Sequence, residues 1–327
     1  MVVFVGFTIV IILISSLVII LNQDDENSVT NAVLFPEDEW PHDELVEWYY
    51  WTGHLKTDDE RWFGYELVFF IFDMNNLKTK VVNHAITDVQ NESFYYTASL
   101  SYGDIPKTGE PLRFEVGDFS AYLQDGKDIL HGVVNNLTID LDLKSLKKPV
   151  LHHGNGYIDY SFGGYTFYYS RTNMETNGTI TIDDKIFHVN GTSWFDHQWG
   201  GLIQVSAIGW DWFAIQLDDG QEVMLFNVHA GEEGFHVGGT WVDNEGRAVE
   251  ITPNNFEIVV LDEWVSPHTN KTYPSGWEIH VNDICLILNP VIEDQELAFR
   301  NYNVYWEGAC EVSGDVTGRA YVELTGY

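Results

Sequence analysis

Apolar and polar positions along this chain form short runs, and the apolar ones are rich in β-branched and aromatic side chains. Leu67-Val-Phe-Phe-Ile-Phe72, Gly178-Thr-Ile-Thr-Ile182, Phe256-Glu-Ile-Val-Val-Leu261 and Glu278-Ile-His-Val281 are of this kind. Gly, Asn and Asp clusters such as Gly163-Gly164, Asp218-Asp-Gly220 and Asn244-Glu-Gly246 punctuate them, as turns require. After residue 35, no window carries helical i, i+3, i+4 spacing over ten or more residues. The pattern predicts an all-β protein of barrels or sandwiches.

The amino terminus departs from that pattern. Residues 2–21 are apolar or small without a charge, long enough at ~1.5 Å per residue to cross a ~30 Å hydrocarbon core. They lack the basic start and A-x-A site of a secretory signal, so residues 1–22 are expected to be an uncleaved membrane anchor, with a cleaved signal as the alternative. Residues 23–35 are polar and read as a tether. The expected location of the rest is outside the cytoplasm, anchored or secreted. Sequons at Asn91, Asn136, Asn177, Asn190 and Asn270 agree with export. The cysteines, Cys285 and Cys310, both in strand-like segments, are candidates for a cross-strand disulfide.

An internal echo divides the remainder. Trp48-Tyr-Tyr-Trp-Thr-Gly-His-Leu55 and Trp210-Asp-Trp-Phe-Ala-Ile-Gln-Leu217 share aromatics at offsets 0, 2 and 3 and a Leu at offset 7. Gly191-x-x-Trp194-x-Asp196 is echoed by Gly318-x-x-Tyr321-x-Glu323 near the end. Two β domains result, 36–200 and 201–327, each opening on a Trp strand and closing on a Gly-x-x-aromatic-x-acid strand.

Composition narrows the partners. A formal charge of −34 excludes nucleic acid, whose phosphates would be repelled. Twelve Trp residues point to aromatic-lined cavities or seams. No HExxH, HxH or CxxC pair, EF-hand spacing, GxGxxG or P-loop occurs, so neither a metal nor a nucleotide cofactor is expected. The adjacent His152 and His153 read as surface or packed histidines.

The densest chemistry lies in Gly191-Thr-Ser-Trp-Phe-Asp-His-Gln-Trp-Gly200. A local Ser193–Asp196–His197 triad is excluded by strand geometry. Ser193 and His197 would stand roughly 13 Å apart at ~3.3 Å per residue, with Asp196 on the opposite face. The same geometry puts Phe195, His197 and Trp199 on one face and Trp194, Asp196 and Gln198 on the other. One face would line a cavity while the other braces a neighbouring domain. Carboxyls beside aromatics, Glu47 before Trp48-Tyr-Tyr50, Asp211 between Trp210 and Trp212, and Glu307 after Trp306, are expected to have pKa values raised by desolvation. Such acids, with indole faces that stabilise a carbocation, suit protonation of an isoprenoid alkene.

These motifs resemble one family. Glu47-Trp-Tyr-Tyr-Trp-Thr-Gly-His54, Phe63-Gly-Tyr-Glu-Leu67, Trp194-Phe-Asp-His-Gln-Trp-Gly200, Gly209-Trp-Asp-Trp-Phe213, Tyr305-Trp-Glu-Gly308 and the ending Gly318-Arg-Ala-Tyr-Val-Glu-Leu-Thr-Gly-Tyr327 look like the AttH-like, carotenoid hydratase (CrtC-type) family. The resemblance implies two lipocalin-like β-barrels packed together. It also implies Asp196 as proton donor, with His197 and Trp199 lining a pocket. The function expected is binding of a hydrophobic, isoprenoid or lipid ligand. Cofactor-free hydration or cyclisation is the alternative, and a structural envelope module the next. Asp196 and His197 are the expected catalytic residues, and Glu47, Trp48, Tyr50, Trp194, Trp199, Trp210, Trp212, Trp306 and Glu307 the expected ligand contacts.

Overall fold

In the computed structural model, residues 32–74, 77–124, 126–160, 164–201, 209–229, 235–299 and 304–327 are described. About two thirds of them lie in strands, and among them helical structure is limited to single turns at Glu37–Glu39 and His152–Gly154. Among the described residues no helix is long and apolar enough to cross a membrane, and the expected anchor at 1–22 lies outside them.

The strands form two antiparallel sheets, each nearly barrel-shaped, and both follow one plan. In the first, Val46–Thr57, Trp62–Met74, Leu77–Asp88 and Ser93–Tyr102 make a meander. The last long strand, Lys185–Gly200, returns to the free side of Val46–Thr57 and is followed outward by Tyr165–Ile182. In the second, the meander is Trp210–Leu217, Glu222–Val228, Phe235–Val242 and Ala248–Ile251. Gly318–Leu324 returns beside its first strand, followed outward by Val304–Gly314.

The sequence echo becomes register. Tyr50 pairs with Asp196, and Trp212 pairs with Glu323. One strand further out, Ser170 opposes Asp196 while Glu307 opposes Glu323.

Burial explains why some strands alternate and others do not. Leu112–Val116 and Leu137–Ser145 alternate buried and exposed residues because their outer face meets water. Val46–Thr57 and the second half of Lys185–Gly200 are buried on both faces. One face fills the interior of the first barrel with Trp51, Tyr49 and Phe195. The other packs on the second sheet, where Tyr50, Val68, Tyr168 and Trp194 meet Trp212, Met224, Phe226 and Tyr321. The second barrel is filled by its own core around Phe213, Trp277 and Trp306. Each large apolar side chain so buried contributes on the order of 2–3 kcal/mol.

Polar bonds cross the seam as well. Lys147 Nζ reaches Glu222 at 2.7 Å, and Thr87 Oγ1 donates to Gln295 Oε1 at 2.7 Å. Gly64 permits a close approach of the two sheets, since a Cβ there would stand 2.7 Å from Ala309 Cβ.

The expected disulfide is corrected. Cys285 and Cys310 are free thiols. Cys310 pairs with Pro290, five positions along the strand from Cys285, a separation of roughly 16 Å at ~3.3 Å per residue. A disulfide needs Cα atoms within about 7 Å.

Candidate functional site

The Lys185–Gly200 strand divides the chemistry of this molecule, because its successive side chains point into different compartments. Asp196 faces the seam between the sheets and His197 the interior of the first barrel.

At the seam lies a cleft of about 40 Å³. Trp48, Phe70, Trp210, Trp212 and Phe226 form its apolar walls. Trp48 and Trp210, equivalent in the two halves, stack across it nearly parallel, with ring centroids 6.5 Å apart. Three carboxyl groups line the same space: Asp196, Glu66 and Glu323.

Asp196 is 3% exposed and accepts hydrogen bonds from Trp194 Nε1 at 2.7 Å, Tyr168 Oη at 2.6 Å and Ser170 Oγ. Burial raises its pKa to about 7, against the opposing pull of those donors. Three donors leave one of a carboxyl's roughly four acceptor positions to carry a proton. The shell behind Asp196 is itself fixed from the second sheet. Trp212 Nε1 donates to Tyr168 Oη at 2.9 Å. His152 bridges Ser170 Oγ at 2.7 Å and Thr240 Oγ1 at 2.8 Å, and burial holds its pKa down near 3, so the imidazole is neutral.

Glu323 accepts from Trp210 Nε1 at 3.1 Å, and burial raises it to about 7. Glu66, also raised by burial, to about 8, accepts from Tyr305 Oη at 2.9 Å. Glu307, behind the cleft, accepts from Tyr50 Oη at 2.6 Å and is held well above the carboxylate range by burial and then by Glu66.

On the opposite face the logic inverts. His197 Nε2 donates to Glu47 Oε1 at 2.6 Å, and His42 donates to Glu47 through Nδ1 at 2.9 Å and its backbone N–H at 2.8 Å. His42 Nε2 also donates to Asp38 at 3.3 Å, and its ring stacks on Trp199 at 3.9 Å. Burial alone would lower His42, but the two carboxylates outweigh it and raise it to about 9. Burial alone would raise Glu47, but His197 and His42 hold it below its ordinary value. Nearby, the buried Arg171 bonds Asp128 at 3.2 Å and Glu39 at 2.7 Å. His42, Glu47 and His197 bring one donor atom each within 4.8 Å of the others. The His42 proton already satisfies that set, and a metal would have to displace it.

The sequence model of the AttH-like family matches residues 27–327. The chain belongs to that family. A search of curated proteins finds no match. The fold is similar to that of an AttH-assigned protein from Nitrosomonas europaea, with a TM-score of 0.82 and 26% identity over 90% of this chain and 97% of that one. It is also similar to kievitone hydratase from Nectria haematococca, with a TM-score of 0.74 and 15% identity over 92% of this chain and 94% of that one. At that identity the likeness is one of fold.

Within this AttH-like chain, the residues singled out in the sequence separate into three places. Trp48, Tyr50, Trp194, Asp196, Trp210, Trp212 and Glu307 gather at the seam. Glu47, His197 and Trp199 lie across the strand, inside the first barrel. Trp306 belongs to the second barrel's core, its Nε1 donating to the Glu293 carbonyl at 2.7 Å. The expectation that Glu47 has a raised pKa is corrected, because two histidines face it rather than bare indoles.

Glu66, Glu323, Tyr168, Ser170 and His152 were not among the expected site residues. The signal available for the two acids is a single carboxylate inside an apolar strand, in Tyr65-Glu-Leu67 and Val322-Glu-Leu324. His152 stands out locally only as half of the His152-His153 pair, which says nothing of its place behind Asp196.

Proposed function

We propose that this chain binds an unsaturated hydrophobic small molecule of isoprenoid type at the seam and protonates it from Asp196 without a cofactor. The observation that carries this reading is a buried carboxyl with a pKa near 7 on the wall of an indole-lined cleft. A group poised near neutrality is an effective general acid. Carriage alone needs no acid there, which favours chemistry over simple binding.

In the reaction the Asp196 O–H bond breaks as a C–H bond forms on the alkene, and the indole faces of Trp48, Trp210 and Trp212 stabilise the cation. Water capture with loss of one water proton then gives hydration, and capture by an internal alkene, followed by loss of a proton from the new cation, gives cyclisation. The same fold carries a hydratase in Nectria haematococca, so water addition is the reaction to test first. The cleft as it stands has room for about one water, far below the ~300 Å³ of a small-molecule site. The ligand therefore enters by parting Trp48 and Trp210, which are half-buried rather than locked in the core.

The reading treats 36–200 and 201–327 as two lipocalin-like domains outside the cytoplasm. Residues 1–22 would tether them beside the bilayer, where such ligands partition.

The test is native mass spectrometry with organic extraction of the protein from a membrane-containing host, followed by assay against acyclic isoprenoids and prenylated phenols. Asp196→Asn is expected to lower turnover by about 10²–10⁴-fold with ligand affinity little changed. Equal loss of turnover and affinity would reduce Asp196 to a structural role. A protein that takes up none of these molecules sinks the reading.

A further inference from the structure

The two sheets meet most closely where Gly64 of the Trp62–Met74 strand lies against Ala309 of the Val304–Gly314 strand. Two residues along each strand, in opposite directions, stand Glu66 and Glu307. Both are buried, at 1% and 0% exposure. Each has one oxygen capped by a tyrosine hydroxyl, Glu66 by Tyr305 and Glu307 by Tyr50. The other oxygen of each, Oε2, has no partner, and among the described residues these are the only buried carboxyl oxygens left so.

An unpartnered buried carboxylate oxygen is costly, and two acids at close quarters cannot both ionise cheaply. A single proton held by the pair eases both penalties. The ionisable groups around the pair are acids and phenols, Tyr50, Asp196, Tyr305, Tyr321 and Glu323, with the Cys310 thiol beside Glu307 and the His54 imidazole against Tyr321, kept neutral by burial. Nothing in that set offers a positive charge to stabilise a doubly ionised pair.

We propose that Glu66 and Glu307 share a single proton across the seam and form a second acid–base centre of the cleft, separate from Asp196. Glu66 is the member that lines the cleft, and Glu307 stands behind it. With one proton on the pair, one carboxylate equivalent remains to take a proton from a water beside Glu66. On the reading given above, on which this role rests, the water's O–H bond breaks as its oxygen bonds the carbocation, and the released proton goes to the pair. Asp196, having lost its own proton to the alkene, is then recharged from solvent, and the pair gives its extra proton back to solvent, which closes the cycle.

The test uses the ligand-free full-length protein with glutamate δ-carbons labelled with ¹³C, titrated by NMR. The expected result is two coupled steps, one proton leaving the pair at lower pH and the second at least about two pH units higher. Glu66→Gln and Glu307→Gln identify the resonances. Each is expected to lower the remaining partner's upper step by about one pH unit or more, and by the same amount in both directions. If a variant fails to fold, the two-step profile of the unsubstituted protein still decides. Independent titrations in that protein, or a Glu66 step unmoved by Glu307→Gln, would overturn the proposal. Failure here leaves Asp196 as the acid, while an inactive protein with a coupled pair discards the catalytic reading and keeps the pair.

Discussion

Asp196 and Glu47 are both buried carboxyls on neighbouring strands, 3% and 1% exposed, and their protonation is driven in opposite directions. Asp196 meets an indole N–H and two hydroxyls, neutral donors that do not recover what burial takes away, and it rises to about 7. Glu47 meets two imidazoles, one of them cationic His42, and it falls. Burial sets the size of the problem, and the charge of the partner sets its solution. The seam thus stores protons while the first barrel's interior stores an ion pair.

The sharpest way to break this contrast is to neutralise one acid on each side. Glu47→Gln leaves buried His197 without its carboxylate and the His42 cation with Asp38 alone, and is expected to destabilise by about 3–5 kcal/mol in urea unfolding. Glu323→Gln replaces an acid already half protonated at neutrality by a neutral amide that can still accept from Trp210, so its cost should stay below about 1 kcal/mol. Similar losses from the two would show that partner charge does not separate the compartments.

The pH dependence of stability should differ next. Asp196, Glu66 and Glu323 have folded values near 7, 8 and 7, above their ordinary values near 4, so the folded chain binds their protons more tightly than the unfolded chain. Their contribution is complete below about pH 4 and is lost as pH rises through 7–8, on the order of 2–4 kcal/mol in total after mutual coupling. His42 adds a loss of the same sign between 6.5 and about 9. Glu47 behaves oppositely, since its depressed value means stability lost as pH falls below 4.5. Unfolding midpoints between pH 4 and 9 should fall on the alkaline side, and less steeply in Asp196→Asn. A slope unchanged by that substitution would remove the seam acids from the account.

The smallest effect concerns the thiols. Half-buried Cys285 should react with a thiol reagent in the native protein, and buried Cys310 only on unfolding. Cys285→Ser should change stability by less than about 0.5 kcal/mol. A single reactive thiol, or none, after denaturation without reductant would contradict the free-thiol assignment.

What could be read in advance follows from the range over which each property is decided. Strand period is local, so the separation of Phe195, His197 and Trp199 from Trp194, Asp196 and Gln198 was legible, as was the exclusion of a serine triad. Ser193 indeed bonds Tyr65 and Thr176, away from both Asp196 and His197. The repeat was legible because equivalent strands need equivalent aromatics. The occupants of each face were not, because they arrive from afar. His197 finds Glu47 across 150 residues, and Tyr50 finds Glu307 across 257. Trp306 was misassigned for a related reason, since neighbours on a strand point to opposite faces and only Glu307 turns to the seam.

The stacking of Trp48 on Trp210 relates the halves by matching residues, and the cleft lies on that relation. A chain comprising one half, pairing with its own copy through this face, would already set two indoles in parallel and place an acid beside each. Joining two such copies end to end would preserve the cleft while freeing its flanks to diverge. Ser170 and Glu307, which occupy corresponding positions, show that freedom in use: one half keeps a hydroxyl to steady its acid, and the other installs a second acid. The lopsided proton content of the cleft then follows from corresponding positions that the two halves fill differently.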